Sequence, residues 1–319
     1  MLLDDVDGSV VARVAAGMTE ADHGDRAVTH LSALGRNAYV SARVVRLSPF
    51  PGRKMPVRMY HIPVCPFSQR VEILLHLKDL TGEMECVRVD ITQPRDAHIL
   101  ALSGGTTALP VMELEDGRAL KESLVLMDYL DTRFGDRPVR RADAWERAVE
   151  NLLVTYENAF NMSGYGLVMN QDPEKRQAFL DKYLEQHRKV NDFLVRYGNS
   201  SGPWLFDRFG WAEAVFTPFF RRFAFVPYYE GVDIPATAEF SRVLAWREAC
   251  LQHPSAQQVT DEEVVKVYYD YARGGGNGHT LPGRQVSSFA FLPRWQDRPW
   301  PPRDKYGAAA TDEELGLVL

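Results

Sequence analysis

The sequence predicts a small α/β domain followed by an all-α domain, and three observations carry that prediction. Between residues 56 and 134, short alternating apolar runs are interleaved with windows of helical period. From Ala144 onward the strand signals fade and long helical windows succeed one another. The stretch between them, residues 135–143, opens with Gly135, Pro138 and the charged Asp136, Arg137, Arg140 and Arg141, and reads as a linker.

The elements of the first domain follow in order. Val57 to Ile62 alternates as a strand, and Pro66 to Lys78 reads as a helix that sets Val71, Leu74 and Leu75 on one face at i, i+3, i+4 spacing. Met84 to Ile91 is a second strand. A polar turn at Pro94 to Asp96 leads to a short helix, and Ala108 to Glu115 is the next extended run. Asp116-Gly117 before Ala119 to Lys121 is a hairpin signal, because such pairs supply the left-handed residues of a tight turn. A helix over Ser123 to Phe134 closes a β-α-β-α-β-β-α unit, which is a thioredoxin-like order. The second domain, 144–272, carries helical windows at Trp145 to Met169, Pro173 to Tyr197, Gly210 to Phe225, Arg242 to Gln252 and Asp261 to Ala272. The tail, 273–319, is rich in Gly, Pro and aromatics without periodicity. It either drapes over the helical domain or stays partly mobile.

A chain of 319 residues with 45% hydrophobic content is long enough to bury two ordinary cores. Net charge is −6 and there is no extended basic run, so neither nucleic acid nor an anionic membrane surface is expected as a partner. Nothing apolar reaches the roughly 18 residues that a membrane span needs. The three cysteines, Cys65, Cys86 and Cys250, have neither metal nor disulfide-framework spacing, which suits a reducing, cytoplasmic setting. Cys86 and Cys250 lie in apolar runs and are expected to be buried small hydrophobes. The eight histidines show no metal spacing, so no metal is expected. Gly274-Gly275-Gly276-Asn277-Gly278 follows a helix and lacks a terminal lysine, so it is a helix stop and not a phosphate cradle. Residues 1–55 have scattered Gly, several Asp and no apolar signal core. They are either a disordered arm or the product of a mis-assigned start, with Met55 or Met59 as the alternative.

Cys65-Pro66-Phe67-Ser68 sits between the first strand and the first helix. A thiol at a strand-to-helix turn meets unpaired backbone N–H groups and the positive end of the helix dipole, both of which favour a nucleophilic thiolate. Pro66 suits the first helical turn. Ser68 stands where a dithiol motif would carry its second cysteine, so a mixed disulfide on Cys65 would be cleared by an external thiol.

Three motifs in order resemble the glutathione transferases. Cys65-Pro66-Phe67 is similar to the cysteine-type, omega-like members. Leu109-Pro110 stands where the family keeps a cis proline that presents the preceding backbone to the cysteinyl part of glutathione. Glu122-Ser123 opens a helix where the γ-glutamyl end binds. The resemblance covers roughly residues 56–272 and implies an α/β thioredoxin-like glutathione-binding domain, an all-α glutathione-transferase domain, glutathione as co-substrate and a homodimer. Ser123 with its helix N-terminus suits the γ-glutamyl carboxylate and Glu122 its ammonium. Arg95 either meets the glycyl carboxylate or is a solvated charge.

Further segments resemble one bacterial branch, the glutathione lyase of lignin β-aryl-ether catabolism. They are His61-Ile62-Pro63, Gly104 to Pro110, Phe209 to Glu213, Tyr268-Tyr269-Asp270-Tyr271 and the tail as far as Leu315. That branch removes glutathione from α-glutathionyl aryl ketones. The resemblance implies that Cys65 attacks the thioether sulfur while a tyrosine hydroxyl steadies the departing enolate, and that a second glutathione releases oxidised glutathione. Tyr271 is the expected donor, with Tyr165 and Tyr268 expected to line the cleft, although Tyr268 and Tyr271 at i, i+3 equally suit core packing. The family's usual Ser or Thr cap with Asp three residues on is here Gly210 with Glu213. Two alternatives stay open: a general omega-like thioltransferase, deglutathionylase or dehydroascorbate reductase, and a non-catalytic glutathione-binding scaffold.

Overall fold

The computed structural model describes residues 57–318 apart from residue 277; the arm expected over residues 1–55 lies outside the described residues. Four strands form one sheet: β1 (Val57–His61), β2 (Met84–Arg88), β3 (Val111–Glu113) and β4 (Ala119–Lys121), in the order β2-β1-β3-β4. β1 runs parallel to β2 and antiparallel to β3, and β3 pairs antiparallel with β4. The Asp116-Gly117 hairpin forms as its sequence predicts: Gly117 has φ +82° and the Leu114 N–H donates to the Arg118 carbonyl at 2.8 Å. Three helices complete the domain: α1 (Pro66–Leu77), α2 (Ala97–Leu102) and α3 (Ser123–Arg133). Val71, Leu74 and Leu75 are buried, as their spacing requires. α1 packs against α3 of its own domain and also against a helix of the second domain.

That second domain contains α4 (Ala144–Val154), α5 (Glu157–Met169), α6 (Arg176–Tyr197), α7 (Trp211–Arg222), α8 (Phe225–Tyr229), α9 (Ser241–Gln252), α10 (Asp261–Val267) and α11 (Tyr269–Ala272). Two predicted windows are therefore pairs, broken at Thr155-Tyr156 and Tyr268, and α8 begins only at the last residue of the Gly210 to Phe225 window. α7 is the central helix, buried along its whole length and packed on α1. Its cap works as Glu213 permits: the carboxylate accepts from the Gly210 N–H at 2.9 Å, the Leu205 N–H at 2.7 Å and the Trp246 indole at 2.9 Å. A Cβ at Gly210 would lie 3.1 Å from Glu150 Oε1 and 3.3 Å from Arg141 Nη2, which explains why this cap is glycine.

The tail drapes and is fastened by buried charge. Lys305, 1% exposed, donates from Nζ to the Leu167 and Val168 carbonyls at 2.9 Å each and pairs with Glu230 at 2.5 Å. Arg284 bridges Asp270, at 3.3 Å, and Asp312. The Ala310 N–H donates to the Tyr269 hydroxyl at 2.7 Å. Cys250 is fully buried, but Cys86 is exposed, because β2 is an edge strand and only one side of it is covered. No helix among the described residues is long and apolar enough to cross a membrane. None of their His, Cys, Asp and Glu side chains gather in threes as a metal site would need.

Candidate active site

Cys65 is the N-cap of α1 and half-buried, with Pro66 at the first helical position. Its N–H donates to the Ile62 carbonyl at 3.0 Å, and its carbonyl accepts from the Gln69 N–H at 3.0 Å. The thiol thus starts the first turn, where unpaired backbone N–H groups concentrate. Ser68 is fully buried beside it, and no second sulfur occupies the turn.

The other two motifs lie on neighbouring elements, one just before β3, which pairs with β1, and the other at the start of α3. The Leu109–Pro110 peptide is cis. Ser123 opens α3 and is 5% exposed, while Glu122 before it is exposed and holds φ +68°. The Ser123 Oγ accepts from Arg70 Nε at 2.8 Å, and Arg70 also pairs with Glu157 of α5. The Arg70 guanidinium lies 5.0 Å from the centroid of the Phe67 ring, which meets Phe219 of α7 edge-on at 6.1 Å. Arg70 is therefore the buried cation that ties α1, α3 and α5 together; burial pulls its basicity down, and Glu157 opposes that pull. Arg95 is half-buried: Nη2 donates to the Thr107 carbonyl at 3.2 Å, whereas Nε and Nη1 are shielded from solvent without a hydrogen-bond partner among the described residues.

The three tyrosines form one cluster on the helical side. The Tyr165 hydroxyl donates to the Tyr268 hydroxyl at 3.1 Å, and Tyr268 donates to the Val64 carbonyl at 2.8 Å. Tyr165 is 9% exposed and Tyr268 3%, so both rings form a buried layer, with hydroxyls committed to each other and to the chain before Cys65. Burial pushes both phenols well above their ordinary range, which keeps them protonated donors. Tyr271 is half-buried and lies over that layer, its ring 5.6 Å from Tyr165, 5.1 Å from Tyr268 and 5.5 Å from Phe289 of the tail.

Sequence reasoning missed Arg70 and Arg222. Arg222 ends α7 fully buried; its Nε donates to the Val64 carbonyl at 2.8 Å and its Nη1 to the Gln69 side-chain oxygen. The available signal was a cation placed inside an apolar helical window, Phe219 to Phe225.

Comparison with known proteins agrees with this fold. Residues 59–138 match the Glutathione S-transferase, N-terminal domain family, and residues 174–249 match the Glutathione S-transferase, C-terminal domain family. The chain is 28% identical over 213 residues to Glutathione S-transferase L3 of Arabidopsis thaliana, spanning 66% of this chain and 86% of that protein. It resembles glutathione transferase Omega 3C from Trametes versicolor with a TM-score of 0.58 and 23% identity, over 69% of this chain and 91% of the other. Rice GST1, solved in complex with glutathione, superposes with a TM-score of 0.57 and 22% identity over 66% and 96% of the two chains.

Proposed function

For a chain that belongs to the glutathione S-transferase superfamily, we propose a glutathione lyase acting on α-glutathionyl aryl ketones such as lignin β-ether breakdown leaves, with Cys65 as its nucleophile. The observation that carries this reading is the juxtaposition of one sulfur at a helix start with an aromatic wall tied to the preceding residue through Tyr268 and Val64.

The Cys65 thiolate attacks the sulfur of the thioether. A sulfur–sulfur bond forms, the carbon–sulfur bond breaks, and the electron pair stays on the carbon next to the carbonyl as an enolate. Protonation of that carbon gives the ketone, so the carbon is reduced by the two electrons that the sulfurs lose. A second glutathione thiolate then attacks the Cys65–glutathione disulfide, releasing oxidised glutathione and the free Cys65 thiolate. The developing enolate oxygen needs a donor in the transition state, and Tyr271 is the tyrosine of the cluster nearest the surface. For glutathione itself, Ser123 and the α3 N-terminus receive the γ-glutamyl carboxylate and Glu122 its ammonium. The Leu109 backbone meets the cysteinyl unit, and the two unpartnered Arg95 nitrogens meet the glycyl carboxylate.

The second reading, a thioltransferase acting on glutathionylated thiols, draws on the same single sulfur with Ser68 in place of a resolving thiol. Steady-state turnover separates the two. With an α-glutathionyl aryl ketone and free glutathione, ketone and oxidised glutathione should appear in equal amounts, faster than glutathione is removed from a glutathionylated peptide. Tyr271→Phe should slow thioether cleavage by roughly ten- to a hundredfold, the loss of one transition-state hydrogen bond. A faster rate on the peptide, or an unaltered rate in Tyr271→Phe, overturns the lyase assignment or the donor respectively.

A further inference from the structure

The peptide unit before Cys65 is held at both polar ends. The Cys65 N–H donates to the Ile62 carbonyl at 3.0 Å, and the Val64 carbonyl accepts from Arg222 Nε and from the Tyr268 hydroxyl, each at 2.8 Å. A carbonyl oxygen offers two lone pairs, so this acceptor is filled. Both donors come from the helical domain: Arg222 closes α7, and Tyr268 sits between α10 and α11. We infer that Arg222 and Tyr268 are positioning residues that aim the Cys65 sulfur, an inference that rests on Cys65 being the nucleophile proposed above.

The geometry explains how. A peptide unit is planar, so pinning its oxygen and its nitrogen fixes its orientation. With Cys65 φ at −73° the direction of its Cβ is then set, leaving Sγ only the choice of χ1. Arg222 grips the turn on its far side too, through the Gln69 side chain, and the Gln69 N–H donates to the Cys65 carbonyl at 3.0 Å. Its partners, the Val64 carbonyl, the Gln69 amide oxygen and the Pro218 carbonyl, are all neutral. Glu263 feels its charge but makes no hydrogen bond to it, and a buried guanidinium without a paired carboxylate carries a desolvation cost that an apolar side chain would avoid, so packing alone does not account for it. Tyr268 in turn receives the Tyr165 hydroxyl and carries the Tyr271 ring at 5.1 Å. A substrate pressed on Tyr271 therefore bears on the side chain that holds the nucleophile's backbone.

Tyr268→Phe and Arg222→Lys test this in the full-length protein. Alkylation of Cys65 by iodoacetamide at fixed pH, followed by mass spectrometry of the Cys65 peptide, reads the sulfur directly. Reading the Cys65 peptide separates it from the exposed Cys86 and the buried Cys250. Each variant should slow Cys65 alkylation and kcat together by about five- to tenfold, the value of one backbone-directed hydrogen bond, with KM for glutathione within about twofold. A lowered Tm with alkylation and kcat unchanged in whichever variant folds means the pair only glues the domains, and overturns the inference. Alkylation needs neither glutathione nor the aryl ketone substrate, so the two claims fail separately. Wild-type protein with a reactive Cys65 but no ketone release defeats the proposed reaction and leaves the clamp standing.

Discussion

Glu122 holds φ +68°, a conformation that side chains other than glycine avoid and that costs on the order of 1–3 kcal/mol. Its carboxylate is exposed between β4 and α3, beside Ser123, whose Oγ is oriented by Arg70. Strain at such a place has a use if it turns the carboxylate towards a ligand's ammonium. Glu122→Gly separates the two effects. Thermal melting should show a higher Tm, because glycine accepts this φ without strain. Initial-rate kinetics should show KM for glutathione raised about tenfold by loss of a charge-assisted contact, with kcat within about twofold. An unaltered KM contradicts the assigned role. At this scale the placement of Cys65 and of Glu122-Ser123 at helix starts and the cis Leu109–Pro110 peptide were legible, since local chemistry limits the choice of residue there. Arg70 and Arg222 were not, because nothing in a linear sequence states that Arg70 will meet Ser123 and Glu157, or Arg222 the Val64 carbonyl.

Among the elements, the succession of strands and helices along the chain and the hairpin followed from the alternating runs and Asp116-Gly117, whereas the order of strands in the sheet and the helix breaks did not. Periodicity survives a slip of one or two residues, so Trp145 to Met169 read as one helix although α4 stops at Val154 and α5 starts at Glu157. Cys86 was misread because an apolar run does not say whether its strand lies at the edge of the sheet. The meeting of α4 with the start of α7 carries a pH signature. Glu150 is fully buried, with Arg141 Nε 3.6 Å away, and burial followed by the Glu213 charge raises its pKa from 4.5 to about 7. Between those values the unfolded chain has released a proton that the folded chain keeps, so stability falls as pH rises through that window. Denaturant titrations should therefore show Glu150→Gln gaining on the wild type from pH 5 to pH 8. A constant difference between the two proteins across that range contradicts this account.

For the molecule as a whole, the division into an α/β domain and a helical domain was legible and draping of the tail was one of its two expected outcomes, while its fastening by buried charge was not. Lys305, Arg284 and Arg298 look like surface charges in a Gly- and Pro-rich stretch, yet all three are buried, and Arg298 is satisfied by the carbonyls of Ser288, Ala290 and Pro293. The tail also supplies Phe289 to the Tyr271 cluster, so a segment without periodicity helps build the aromatic layer packed behind Val64. The helical domain thus packs, with the tail behind it, against the residue before Cys65, and a single turnover tests whether the Cys65 sulfur does the chemistry. Wild-type protein mixed with one equivalent of an α-glutathionyl aryl ketone, without free glutathione, should release one equivalent of ketone and gain one glutathionyl group on the Cys65 peptide, and Cys65→Ala should do neither. Ketone released with Cys65 unmodified, or at an undiminished rate from Cys65→Ala, would contradict the account.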